Sequence, residues 1–103
     1  MVKLEIAYAP GEGRLIRLAG TVDDRVVGTA AVLLGDAVAA VYWIATDAAF
    51  RQRGIATALT TETLRLAREA GLSIATLQAS SMGEPVYRRI GFETVAHYRR
   101  FAF

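Results

Sequence analysis

Cysteine is absent from this chain of 103 residues, and it holds one histidine and two prolines. Without thiols there are no disulfides, no thiolate metal sites and no cysteine nucleophile, which fits a reducing compartment. One imidazole, His97, falls short of the ligand sets that hold zinc, so no metal is expected. Charge of one sign is also scarce: 12 Lys+Arg stand against 10 Asp+Glu. No basic run interleaves with aromatic residues, so nucleic acid is not an expected partner. Long hydrophobic runs are missing. The longest uncharged apolar stretch, residues 37–46, is well short of the roughly 20 residues a membrane helix needs. Lys3 and Glu5 interrupt the N-terminus where a secretory signal is continuously apolar. A cytoplasmic protein with no membrane partner is the expectation.

What is present suffices for one folded domain over residues 1–103. The AVILMFWYC residues reach 53%, which excludes intrinsic disorder. Pro10-Gly11-Glu12-Gly13 is a turn cluster. Asp23-Asp24 and Gly35-Asp36 separate three apolar runs, Leu15–Val22, 26–34 and 38–46, and read as tips of a three-stranded antiparallel meander. The third run, apolar on both faces, is expected to be central in the sheet. The period then changes. Ile55, Leu59, Leu66 and Ala70 fall on one stripe of a helix over residues 54–70, with Glu62, Arg65, Arg68 and Glu69 opposite and Gly71 ending it. Residues 73–79 form a strand, and strand, helix, strand in this order predicts a parallel pair with a right-handed crossover. A short helix over residues 82–90 tolerates Pro85 in its first turn. A final strand is expected over residues 92–103, and a further short one over residues 3–8. The fold class is α+β: an antiparallel meander, a βαβ crossover, a short helix and a last strand in one mixed sheet.

The segment Arg51-Gln52-Arg53-Gly54-Ile55-Ala56 joins the central strand to the long helix. Small residues there leave backbone N–H groups accessible, and a helix N-terminus adds unpaired donors and positive dipole. Two arginines complete a site for an anion such as a pyrophosphate. The same residues are equally compatible with an ordinary strand-to-helix turn bearing solvated arginines. The chain lacks Gly-x-x-x-x-Gly-Lys-Ser/Thr, so a nucleoside-triphosphate loop is excluded. Gly11-Glu12-Gly13 lacks the third glycine of a dinucleotide fingerprint and precedes a strand rather than a helix.

Residues 51–56 resemble the Arg/Gln-x-x-Gly-x-Gly/Ala signature of the GCN5-related N-acetyltransferases. Pro85-Val86-Tyr87-Arg88-Arg89-Ile90-Gly91-Phe92 resembles the later Tyr-x-x-x-Gly-Phe motif of that family, one helix and one strand further on. The resemblance covers residues 14–103. It implies a GNAT-like fold that binds acetyl-CoA in a gap between the fourth and fifth strands. It implies that the pyrophosphate rests on Arg51, Gln52, Arg53, Gly54, Ile55, Ala56 and Thr57, and that the pantetheine arm pairs with the strand edge at Ile44, Ala45 and Thr46. One backbone N–H of that edge polarises the thioester carbonyl. Tyr87 aligns with the family's general acid, which protonates the leaving CoA thiolate; the plainer role for its ring is packing under the short helix. Ser80 stands where relatives carry an asparagine that contacts the pantetheine. Relatives also begin with a strand and two helices before the meander, which form a wall of the acceptor pocket. The implied function is acetyl transfer from acetyl-CoA to a primary amine. The alternative is a non-catalytic acyl-CoA-binding module completed by a partner. A homodimer through residues 2–9 or the last strand is the expected assembly, because uncovered strand edges recruit partners. Trp43 is expected in the core and its neighbour Tyr42 on the opposite face. Asp47 and Glu84 are the carboxylates nearest the motifs, and neither is singled out as a base.

Overall fold

The computed structural model describes residues 4–10, 13–80 and 83–95. Five strands form one sheet in sequence order. They are β1 (Glu5–Pro10), β2 (Leu15–Val22), β3 (Arg25–Leu34), β4 (Ala39–Thr46) and β5 (Ala75–Leu77). The first four are antiparallel neighbours, and β5 pairs parallel to β4. The strand expected over residues 3–8 is β1, and both edges of the sheet, β1 and β5, are free of a further strand among the described residues.

The first hairpin turns on Asp23 and Asp24, both in the left-handed region at φ 50° and 61°. A two-residue hairpin of this hand matches the strand twist, and aspartate tolerates that conformation better than most side chains. The β3–β4 tip spans four residues, closed by Gly35 N donating to Val38 O at 3.0 Å. An Arg14–Asp36 ion pair of 2.8 Å lies across it.

Helix α1 (Ile55–Glu69) crosses from β4 to β5 and covers one face of the sheet. Its buried seam is Ile55, Leu59, Thr60, Thr63 and Ala67, with Leu66 partly buried. Ala70, placed on the stripe by periodicity, is instead exposed. Two threonines take core positions that apolar counting overlooks, and Thr63 is tolerated there because its hydroxyl donates to Thr60 O at 2.6 Å. Beneath the helix, Gly20 and Gly28 face each other across β2 and β3 and leave room for Leu59 and Ile55. The helix ends as the glycine predicts: Gly71, at φ 85°, donates to Arg68 O and Leu72 donates to Ala67 O.

The second helix, α2 (Glu84–Ile90), holds Pro85 in its first turn and ends at Gly91, φ 126°. Two expectations shift. The strand expected over residues 73–79 is only three residues long. Residues 92–95 carry no strand, with Val95 93% exposed. The rest of that expected last strand, including His97, lies outside the described residues, as does Met82 at the start of the expected short helix.

The largest correction concerns Trp43, which is 65% exposed and outside the core. Ala31 pairs with Tyr42 but Thr29 pairs with Ala45, so Trp43 and Ile44 together oppose one β3 residue. This β-bulge puts Trp43 at φ 54° and breaks the strict alternation of side chains. The rings of Tyr42 and Trp43 consequently lie together, 6.0 Å apart, rather than on opposite faces.

Candidate functional site

The parallel pairing of β4 with β5 runs Ala39–Ala75, Ala40–Thr76 and Val41–Leu77, then stops. β4 continues for five residues to Thr46, still paired to β3 at Ala45 and Thr46. Past Val41 the β5-facing edge of β4 therefore has no strand against it, and the bulge sits at that divergence. Ile44, Ala45 and Thr46, expected to carry a ligand's amide groups, lie along this open edge. The Thr46 hydroxyl oxygen is buried and has no hydrogen-bond partner. A buried polar atom without a partner is costly unless something satisfies it, and a pantetheine amide beside this edge fits that need.

Because β4 and β5 are parallel, the loops after them leave from the same end of the sheet. The first loop begins with Asp47, whose backbone N–H donates to Val27 O at 2.8 Å. The Asp47 carboxylate accepts from Ala49 N at 2.9 Å and from Arg25 Nη2 at 3.0 Å. The Ala49 amide first, and the Arg25 guanidinium after it, hold Asp47 below the usual carboxylate range. A single 3-10 turn (Ala48–Phe50) follows. Phe50 then serves as a platform for two guanidinium groups, Arg25 at 5.6 Å and Arg53 at 5.3 Å from its centroid.

The chain enters α1 through Gln52 at φ 64° and Gly54 at φ 78°. Gly54 is the N-cap and offers no side-chain oxygen to the first helical amides, and the first turn holds no acidic residue. The N–H groups of Ile55, Ala56 and Thr57 stay available, while Ala58 N bonds Gly54 O. A Cβ on Gly54 would meet no protein atom within 4 Å, so the space above it is open to a ligand. Arg51, Gln52, Arg53 and Gly54 are all exposed. Uncapped amides, the positive helix end and two arginines together favour a phosphate.

The loop after β5 carries Ser80. Its hydroxyl oxygen accepts from Gly83 N at 3.2 Å, and its carbonyl accepts from Glu84 N at 3.0 Å. Ser80 thus shapes the entry to α2, leaving its O–H proton for another acceptor. Tyr87 packs on this entry: a Cβ on Gly83 would stand 3.1 Å from its ring and 3.5 Å from Ser80 Oγ. Phe92 meets the Tyr87 ring edge-on at 6.3 Å. Tyr87 is half-buried, and burial pushes its phenol above the usual value, so it remains a proton donor across the neutral range. Glu84 is engaged with Arg88 at 2.8 Å and with Thr94 at 2.9 Å. Both candidate carboxylates therefore serve local structure. The fold brings the β4 edge, the α1 entry and the Ser80–Tyr87 corner to one end of the sheet, and α1 contacts α2. The bulge escaped sequence reasoning, since a run apolar on both faces has no alternation for a bulge to interrupt.

Residues 36–95, more than half of the chain, match the family model described as Acetyltransferase (GNAT) domain. No curated protein matches the chain in sequence. Among solved structures, an acetyltransferase of Trypanosoma brucei superposes with a TM-score of 0.84 at 15% identity, over 98% of this chain and 100% of that one. AAC(6')-Iy, in complex with the bisubstrate analog CoA-S-monomethyl-acetylneamine, gives 0.78 at 18% identity, over 97% of this chain and 99% of that one. A predicted acetyltransferase of Clostridium acetobutylicum, solved with acetyl-CoA, gives 0.75 at 22% identity over 86% of this chain. This chain spans 64% of that last one, less than two thirds of its length. At such identities the likeness is one of fold.

Proposed function

The chain belongs to the GNAT acetyltransferase family, and from that membership we propose that it moves an acetyl group from acetyl-CoA to a primary amine by direct attack. The observation that carries this reading is the parting of β4 from β5 after the Val41–Leu77 pair, at the end of the sheet where α1 begins uncapped. Two fold relatives, one solved with acetyl-CoA and one with a CoA-linked bisubstrate analog, support the same ligand class.

In this reading the amides of Ile55, Ala56 and Thr57, with Arg51, Gln52, Arg53 and Gly54, bind the pyrophosphate. Ile44, Ala45 and Thr46 pair with the pantetheine amides, and the O–H of Ser80 adds a donor. Acetyl-CoA supplies the thioester: the amine attacks the carbonyl carbon, a C–N bond forms, the C–S bond breaks and the sulfur departs with its electron pair. A backbone N–H at the bulge stabilises the charge on the carbonyl oxygen. The Tyr87 phenol gives its proton to the departing sulfur, and the amine's proton passes to water. No metal enters this scheme. Residues 1–103 act as one domain, and two copies associate through the free edge of β1.

The test is a thermal melt with acetyl-CoA, paired with thiol release across a panel of amines. A ligand at 100 times its Kd adds about 2.7 kcal/mol, a shift of several degrees for a domain of this size. No shift at millimolar acetyl-CoA refutes the reading. A shift with no thiol release from any amine replaces it with a non-catalytic acyl-CoA-binding module. Sedimentation as a monomer at high micromolar concentration refutes the dimer.

A further inference from the structure

The face of the sheet away from α1 has an unusual composition, set by register. One row across it reads Ala9, Arg17, Ala31, Tyr42, and the next reads Ala7, Ala19, Thr29, Ala45. Directly paired residues share a face, so alanines form a floor from β1 to β4. Over that floor lies a trough of about 440 Å³ whose lining includes Arg17, Thr29 and Trp43. α1 packs on the opposite face, through Leu18 and Ala30.

Two independent features mark this trough. The first is Trp43, held in the left-handed region at φ 54° and 65% exposed. For a bulky residue that conformation costs about 1–2 kcal/mol, and Thr29 Oγ1 holds it by donating to Trp43 O at 3.3 Å. Strain that presents a large ring to solvent beside a candidate reacting centre points to a ligand. The second is Arg17. Arg14, Arg25, Arg65 and Arg88 are ion-paired, whereas Arg17, like Arg51, Arg53, Arg68 and Arg89, has no hydrogen bond or ion pair among the described residues, and of these five Arg17 is the one that lines the trough. Its register partners on both sides are alanines, Ala9 and Ala31, and no carboxylate of the described residues pairs with it, which leaves a fork open to an anion.

We propose that this trough holds the acceptor, an amine joined through one flat apolar ring to a carboxylate, with the ring against Trp43 and the carboxylate on Arg17. This rests on the acetyl-transfer reading for the role of the amine, which lies toward the bulge. Spacing sets the length of the molecule. Arg17 on β2 is two strands from the bulge on β4, about 10 Å at the usual strand separation. The reach of the guanidinium shortens that gap to roughly one ring. Alanine side chains leave the floor flat, which suits a planar body and excludes a bulky branched one.

The probes are para-aminomethylbenzoate, which has all three features, and benzylamine, which lacks the carboxylate. Trp43 is the chain's only tryptophan, so its emission reports on the trough directly, without turnover. Saturable quenching by para-aminomethylbenzoate is expected, with benzylamine at least tenfold weaker. Arg17→Ala should weaken the acid at least tenfold and leave benzylamine unchanged, and Arg17→Lys should recover part of the loss. Circular dichroism checks that each variant is folded; Arg17 is exposed and makes no contact whose loss would unfold the chain. Equal binding of the two amines, no quenching by either, or indifference to Arg17→Ala overturns the proposal. Trp43 emission that changes with protein concentration alone also overturns it, because a second copy would then cover the trough. Acetyl-CoA binding by thermal melt is measured separately, so failure here leaves the acetyl-transfer reading standing and failure there leaves this one testable.

Discussion

Gly28→Ala tests how closely α1 must approach the sheet for the site to exist. A Cβ at residue 28 would stand 2.9 Å from Ile55 Cγ2, 2.9 Å from Leu59 Cδ1 and 3.1 Å from Ala45 O. Ordinary contact begins near 3.4 Å, so the helix entry must retreat by about half an ångström. Ala45 O is backbone on the β4 edge and yields least. Overpacking of this kind costs about 1–3 kcal/mol. Replacing a strand glycine by alanine returns about 0.5–1 kcal/mol by narrowing the unfolded ensemble. The net expectation is a loss of about 1.5 kcal/mol, a Tm lower by roughly 6–12 °C. Leu59 is fully buried, and Leu59→Ala alone should cost about 3 kcal/mol. In the double variant the new methyl enters the space Leu59 vacated, so the losses should fall short of additive by about 1 kcal/mol. Urea unfolding of the four proteins measures that coupling. Additivity within about 0.4 kcal/mol, or a Gly28→Ala chain more stable than its parent, refutes the argument.

Gly54→Val should cost about 1–2 kcal/mol, from its φ of 78° alone, and abolish the acetyl-CoA thermal shift, since its branches fill the space over the helix amides; a melt with and without ligand decides. Tyr87→Phe keeps the ring against Phe92 and should lower turnover about 10²–10⁴-fold with acetyl-CoA affinity little changed, read by thiol release beside calorimetry. The lowered Asp47 pKa means that its contribution to stability is present above the ordinary carboxylate value and is lost as pH falls through the lower folded one. Asp47→Asn should flatten acid unfolding in that window and leave alkaline melts parallel. The raised Tyr87 pKa acts in the opposite sense: stability falls as pH rises past the ordinary phenol value, because the unfolded chain loses the proton first, and Tyr87→Phe should remove that alkaline slope.

Local chemistry was legible in the residues themselves. Asp23-Asp24 mark a turn because few other residues accept a positive φ, Gly71 and Gly91 end helices for the same reason, and Gly35 marks a turn because a Cβ there would stand 2.5 Å from Val38 O. The signature Arg51-Gln52-Arg53-Gly54 and the Tyr87 motif stand on contiguous residues, so their spacing needs no tertiary information. The position of the threonines was not legible. Thr60 and Thr63 look polar to any counting of apolar stripes, and only the packing of α1 over Gly20 and Gly28 makes them core. Nor was the bulge: a one-residue shift between β3 and β4 leaves no mark in the pattern of an apolar run but turns Trp43 outward and sets it beside Tyr42. The trough is likewise a product of register, since Ala7, Ala19 and Ala31 are far apart in the chain and meet only because three antiparallel strands align them. Side-chain chemistry and backbone freedom are properties of each residue and travel with the sequence. Which residues share a face, and where two strands part, depend on long-range pairing, and those were decided by the folded sheet alone.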